Sequence, residues 1–268
     1  MAIESGYSKN GIPYVKFGRG SRLLFFLQGL FFENKPPSGI ELASIKNAVK
    51  PLLDDYTVYA VTRRPGLSKD ASMTSMAADY AQMITDVTKE PVDVIGTSTG
   101  GSIAQHLAAD YPHLVSKLVL HSSAYALNED ARKLQLKIGE LAEKGKWRAA
   151  YWAILSFMLP KHPVRMTMTA PLMAFGALLA GSIGTPEDPS DLIITIEAED
   201  KHDFSERLHD IIAPTLVLAG TEDPFYSRKL FEQTAAGIPQ ARLILYEGKG
   251  HGVSGRRCRK DLAGFLIE

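Results

Sequence analysis

The chain has 268 residues, 45% hydrophobic and 22% charged, enough apolar material for one large domain or a domain carrying an insertion. Thirty basic residues balance thirty acidic ones, so no net charge draws the protein toward nucleic acid or anionic lipid, and neither is expected as a partner. Cys258 is the only cysteine, which excludes an internal disulfide and fits a reducing compartment.

The opening MAIESGYSKN has neither a basic n-region nor an apolar h-region, so a cytoplasmic location is expected. An Asn10–Gly11 turn between GYSK and IPYVKF predicts a starting β-hairpin. Three short apolar strands follow, RLLFFL (22–27), TVYAVT (57–62) and VDVIGT (92–97). Helical patterns near 39–50 and 70–90 separate them, the second with Met73, Ala77, Tyr80, Met83, Ile84 and Val87 on roughly one face. KLVLHS (117–122), TLVLAG (215–220) and RLILYE (242–247) extend the series. Strands nearly continuous in Val, Leu and Ile, alternating with helices, predict an α/β fold: a mostly parallel, doubly wound sheet covered on both faces.

Residues 124–213 break that rhythm, with no convincing core strand, both tryptophans and four of the eight methionines. A helix capped by Asn128 and ending near Gly145 is predicted there, WRAAYWAILSFML follows as a second, and FSERLHDI closes the segment. This is the signature of a helical cap (124–213) inserted into a core formed by 1–123 and 214–268. LLFFLQGLFF (23–32) is too short to span a bilayer. The uncharged stretch 166–186 is interrupted by threonines, prolines and glycines, so it is expected inside the fold or lining an apolar pocket. The basic run RRCRK (256–260) fits the solvated face of a terminal helix.

The chemistry concentrates in VDVIGTSTGG (92–101), where a strand stops at Gly96 and SIAQHLAADY begins a helix. So abrupt a turn strains its central residue, and small neighbours at −2 and +2 let the chain close without clashes. Ser98 then projects from the tip, the arrangement of a G-x-S-x-G nucleophile elbow. A serine hydroxyl needs a base to take its proton and an acid to orient that base. His251 lies in the glycine-rich EGKGHGV just after the last strand, with room to reach across the sheet edge. His106 lies along the elbow helix, His113 in a loop, and His162, His202 and His209 in the cap; His121 ends a strand beside the elbow, where it is expected to line the pocket but not to act as the base. In TLVLAGTEDPF, Asp223 follows a strand by three residues, with Glu222 as the lesser alternative. Ser98, Asp223 and His251 thus all fall at carboxyl ends of strands, where open α/β sheets bind ligands.

With that chain order, the sequence resembles the α/β-hydrolase fold serine hydrolases, of esterase or lactonase type with a helical cap, from the hairpin to the C-terminal helix. The resemblance implies an oxyanion hole made by the backbone N–H groups of Thr99 and Leu30. Gln28–Gly29 stands where many relatives have His-Gly, and TRRPGLS only loosely matches the family's acidic, glycine-rich turn. Arg63 and Arg64 in that turn are expected in surface or structural pairing, with an acidic substrate group as the alternative. The expected activity is cleavage of a carboxylic ester with a small to medium, largely apolar acyl group, without metal or other cofactor. The same triad serves lactonases, carbon–carbon bond hydrolases and aminopeptidases, the last needing an acidic anchor such as Glu197, Glu199 or Asp200. A ligand-binding receptor with little turnover is the rival outside enzymes. Substrate-pocket candidates are Gln28, His121, Trp152, Met158 and Met173, within an apolar set that includes Trp147, Tyr151, Phe157, Met166, Met168 and Phe175.

Overall fold

The computed structural model describes residues 3–158, 186 and 188–268. Eight strands form one sheet: β1 (Glu4–Tyr7), β2 (Pro13–Gly18), β3 (Arg22–Leu27), β4 (Tyr56–Val61), β5 (Val92–Thr97), β6 (Val115–His121), β7 (Thr215–Gly220) and β8 (Ala241–Tyr246). Their spatial order is β1-β2-β4-β3-β5-β6-β7-β8. The β1–β2 and β2–β4 pairs are antiparallel and every pair from β4 to β8 is parallel.

Alternation along each strand explains why the parallel strands read as unbroken apolar runs. Phe25, Leu27, Val94, Leu118, Leu120, Val217 and Ala219 enter one core. It lies under α2 (Met73–Val87), α3 (Thr99–Asp110) and α7 (Arg228–Gly237). Leu24, Phe26, Ile95, Val119, Leu216 and Leu218 enter the other, under α1 (Gly39–Ala48) and α8 (Arg256–Ile267). Both faces are buried, so neither tolerates the polar alternation of a one-sided sheet. The helices begin where local chemistry allows: Ser72 caps α2 in a capping box with Ser75.

Three described helices lie between β6 and β7: α4 (Glu129–Glu143), α5 (Trp147–Met158) and α6 (Ser190–Asp200). The Asn128 side chain accepts from the Ala131 amide to start α4, and Gly145, at φ +66°, allows the turn into α5. They pack around Ile138, Ala142, Trp147, Ala150, Leu192 and Ile196, and Phe32 from the loop after β3 is inserted among them. FSERLHDI closes as a 3-10 turn over Ser205–Asp210. Helix α6 is an element the sequence pattern did not reveal. The candidate Met173, with Met166, Met168 and Phe175, lies outside the described residues. Among the described residues no helix is long and apolar enough to cross a membrane.

Candidate active site

The turn from β5 into α3 is as tight as its sequence demands. Ser98 sits at φ 51° and ψ −125°, one of two non-glycine residues at positive φ among those described. Such a conformation costs about 1–3 kcal/mol and persists only where the surroundings enforce it. They do so here through glycine. A Cβ on Gly96 would lie 2.6 Å from the Gly100 carbonyl oxygen, one on Gly100 would lie 2.2 Å from the Leu27 carbonyl oxygen, and one on Gly101 would meet Ser123 at 2.3 Å. A Cβ on Gly29 would stand 3.2 Å from Ser98 Cβ. The loop after β3 is thereby pressed against the elbow, and Leu30, which follows it, packs partly buried on the cap core.

His251 arrives from the far side of the sheet. A Cβ on Gly220, at the end of β7, would fall 2.1 Å from the Lys249 carbonyl oxygen, so the loop after β8 crosses β7 in direct contact. Its descent is anchored on β6: the Gly252 amide donates to Ser122 Oγ at 3.1 Å, and the His121 ring lies 2.7 Å from the Val253 carbonyl oxygen. Ser122 is the other positive-φ serine, at 50°. The Ser98 amide donates to the His121 carbonyl at 3.1 Å, so the histidine loop and the elbow share one strand end.

His251 Nδ1 and Asp223 Oδ2 are 2.8 Å apart, with the Asp223 carboxylate fully buried. The other carboxylate oxygen, Oδ1, accepts from the Phe225 and Tyr226 amides at 2.8 and 3.2 Å. Three hydrogen-bond partners therefore fix the carboxylate in place. The neighbouring Glu222 is exposed, and its amide donates to the Lys249 carbonyl at 2.8 Å. Phe225 packs 4.5 Å from the His251 ring, and Phe157 of α5 meets Phe225 edge-on at 5.0 Å. The cap thus presents an apolar wall beside the imidazole.

The remaining candidates separate. Gln28 and His121 line a cavity of about 310 Å³ together with Phe26, Ile45, Val253 and Leu262, on the α1–α8 side of the loop after β3. Of the described candidates, Trp152 and Met158 are not among its lining residues. Met158 packs partly buried on the larger core, while Trp152 is 43% exposed; Trp147 is the buried tryptophan, 5.9 Å from Phe32. Of the remaining histidines, His106 and His202 form a partly buried pair, their rings 3.4 Å apart at the nearest nitrogens.

Arg63 is fully buried and donates to the Gly29 carbonyl at 2.8 Å and the Gln28 carbonyl at 3.4 Å, so its role is structural support of the loop after β3. Arg64 is half-exposed and pairs with Asp79 at 3.6 Å. Of the three acidic anchors considered, Glu197 is exposed, Asp200 is paired with Arg132 at 3.0 Å, and Glu199 is buried and saturated. Its carboxylate accepts from Thr99 Oγ1 at 2.5 Å, Ser102 Oγ at 3.0 Å and Gln135 Nε2 at 3.3 Å. Burial raises the affinity of Glu199 for a proton, and these donors together with the Arg63 charge oppose that. Asp191, at the other end of α6, accepts from the Gly66 and Leu67 amides at 3.0 and 2.8 Å and from Asn34 Nδ2 at 3.2 Å. Sequence spacing carried no signal for the Glu199 and Asp191 contacts, because each joins residues from 64 to 157 positions apart.

A strained serine between strand and helix, and a histidine held by a buried aspartate at two other strand ends, define a class of catalytic scaffold. The family model of the alpha/beta hydrolases matches residues 40–260, and the chain belongs to that family. Among curated relatives, a putative carbamate hydrolase, RutD, of Serratia proteamaculans is 26% identical over 221 residues, covering 80% of each chain. A poly(3-hydroxyalkanoate) depolymerase of Ectopseudomonas oleovorans is 29% identical over 204 residues, 70% of this chain and 61% of that one. The solved enol-lactonase of Burkholderia xenovorans superposes with a TM-score of 0.78 at 17% identity, covering 99% of this chain and 100% of that one, which shows a shared fold.

Proposed function

We propose that the protein is a serine hydrolase that cleaves carboxylic esters of small to medium, largely apolar acyl groups through an acyl-enzyme. The observation that carries this reading is the forced geometry of Ser98, strained at the same sheet edge that carries a histidine pinned by a buried aspartate. His251 takes the Ser98 proton through Nε2 as Ser98 Oγ bonds to the ester carbonyl carbon. Asp223 keeps the proton on Nδ1 and stabilises the imidazolium. The Thr99 amide, first of the unpaired N–H groups at the start of α3, and the Leu30 amide receive the oxyanion, each such donor contributing about 3 kcal/mol. The imidazolium protonates the departing alcohol as the carbon–oxygen bond breaks. Water, deprotonated by His251, then attacks the acyl carbon, and Ser98 leaves with the returned proton.

Phe157 and Phe225 beside His251 support an apolar acyl group over a charged one. The saturation of Glu199 and Asp200 by protein partners argues against an amine anchor of the aminopeptidase kind. A serine-reactive phosphonate is expected to modify Ser98 alone, with multiple turnovers on a panel of esters. An adduct on Ser122 or Ser123, or a single turnover only, would remove the assignment.

A further inference from the structure

Among the described residues, Glu199 is the cap carboxylate that reaches into the first turn of α3, and its three donors are unequal. Two of them, Thr99 and Ser102, belong to the first turn of α3; the third, Gln135, belongs to α4. Its exposure is 1%, and that of Thr99 is zero. A buried carboxylate gains most from donors held rigidly in place, so the contact restrains both sides: the cap helix and the turn that begins with Thr99. The Thr99 side chain has one rotamer-defining partner, and its backbone amide is one atom from the same Cα. Fixing the hydroxyl therefore restrains the Cα and, with it, the position of the amide nitrogen bonded to it. Helix starts are otherwise the part of a helix with the fewest internal hydrogen bonds.

We propose that Glu199 is a positioning residue for the oxyanion: the cap, through this carboxylate, holds the Thr99 amide at the angle that a tetrahedral intermediate on Ser98 requires. The proposal rests on the reading of Ser98 as nucleophile and Thr99 as oxyanion donor. It gives the cap a part in the chemical step besides its part in substrate choice. The effect belongs to the transition state, because a donor aimed at the oxyanion contributes little to binding the planar ester.

The test compares the wild type with Glu199→Gln, which keeps the volume but places an amide nitrogen among donors, and with Thr99→Val, which removes the hydroxyl alone. Each is assayed on a short ester, with a trifluoromethyl ketone that forms a tetrahedral adduct on the serine, and with the product acid as a ground-state ligand. Expected for both variants is a 10- to 100-fold loss of kcat with KM within about twofold. The inhibition constant of the ketone should rise by the same factor, while the affinity for the product acid stays unchanged. The double variant should be no worse than the poorer single one. A purely structural contact would lower the melting temperature but leave kcat, measured well below it, and the ketone affinity intact; that result overturns the proposal. Equal losses for ketone and product acid overturn it as well. If the wild type itself forms no ketone adduct on Ser98, the hydrolase reading falls and this inference with it.

Discussion

Glycine is used in opposite ways at the sheet edge and in the cap. At the edge, a Cβ on Gly96, Gly100 or Gly101 would come within 2.2–2.6 Å of another atom, mostly backbone. In the cap, a Cβ on Gly139 would meet Ile196 at an ordinary 3.7 Å, and one on Gly145 would meet nothing within 4 Å. The edge is a place where backbone touches backbone and a methyl group has no room. The cap is held by side chains packed on side chains, around Trp147, Phe32 and Ile196. Atomic fit thus defines the chemistry, and adaptable packing defines what surrounds it.

The sharpest way to break this contrast is at the hydroxyl. Ser98→Ala should lower kcat by roughly 10⁴- to 10⁶-fold without disturbing the cap, measured as ester turnover alongside circular dichroism. Asp223→Asn should follow, with about a 10⁴-fold loss through the wrong imidazole tautomer. Glu222→Gln on the neighbouring residue should stay within a fewfold of wild type; equal losses would transfer the orienting role. Gly100→Ala should destabilise by about 3 kcal/mol, because its methyl cannot avoid the Leu27 carbonyl. Gly145→Ala should cost only about 1 kcal/mol, the price of a left-handed turn in open space. Similar midpoints in urea for the two variants would erase the distinction.

Acid acts on the seam between the two regions. Burial lowers His106 to about 4 and His202 to about 3 from an ordinary value near 6.5. Asp110 near His106 and Asp203 near His202 oppose that shift, and Arg207 adds to it at His106. Both rings are neutral in the fold, so below pH 6.5 the unfolded chain takes up protons that the folded one refuses. Stability should therefore fall from pH 6.5 toward 4, and His202→Asn should flatten that fall in urea titrations at successive pH values. The smallest effect concerns specificity: each added acyl methylene should raise kcat/KM severalfold until the pocket is full. Phe157→Ala should weaken that dependence while sparing acetate esters, and an unchanged slope would place the acyl group elsewhere.

The same contrast explains how much was legible in the sequence. Six core strands matched to within two residues at either end, because parallel strands buried on both faces must be continuous in Val, Leu and Ile. The tight turn at Ser98 was legible because small residues flank it on both sides, and the meeting of Asp223 with His251 because strand ends are well marked. Helix α6 was not, since SDLIITIEAED mixes β-branched residues with acids and two of its carboxylates point inward to distant partners. The burial of Arg63 was equally hidden: it depends on the carbonyls of Gln28 and Gly29, which local pattern does not display. Trp152 was drawn to the pocket by its apolarity alone, and it is 43% exposed.

Helix α6 is tied down at both ends by buried or half-buried carboxylates, Asp191 to the loops after β3 and β4 and Glu199 to the start of α3. In protein engineering, the insertion is therefore not a cassette. A foreign cap grafted between β6 and β7 would leave the Gly66 and Leu67 amides and the Thr99 and Ser102 hydroxyls without acceptors. A chimera that preserves turnover has to carry an aspartate and a glutamate eight positions apart on its last helix, or replace Asn34, Thr99 and Ser102 along with the cap.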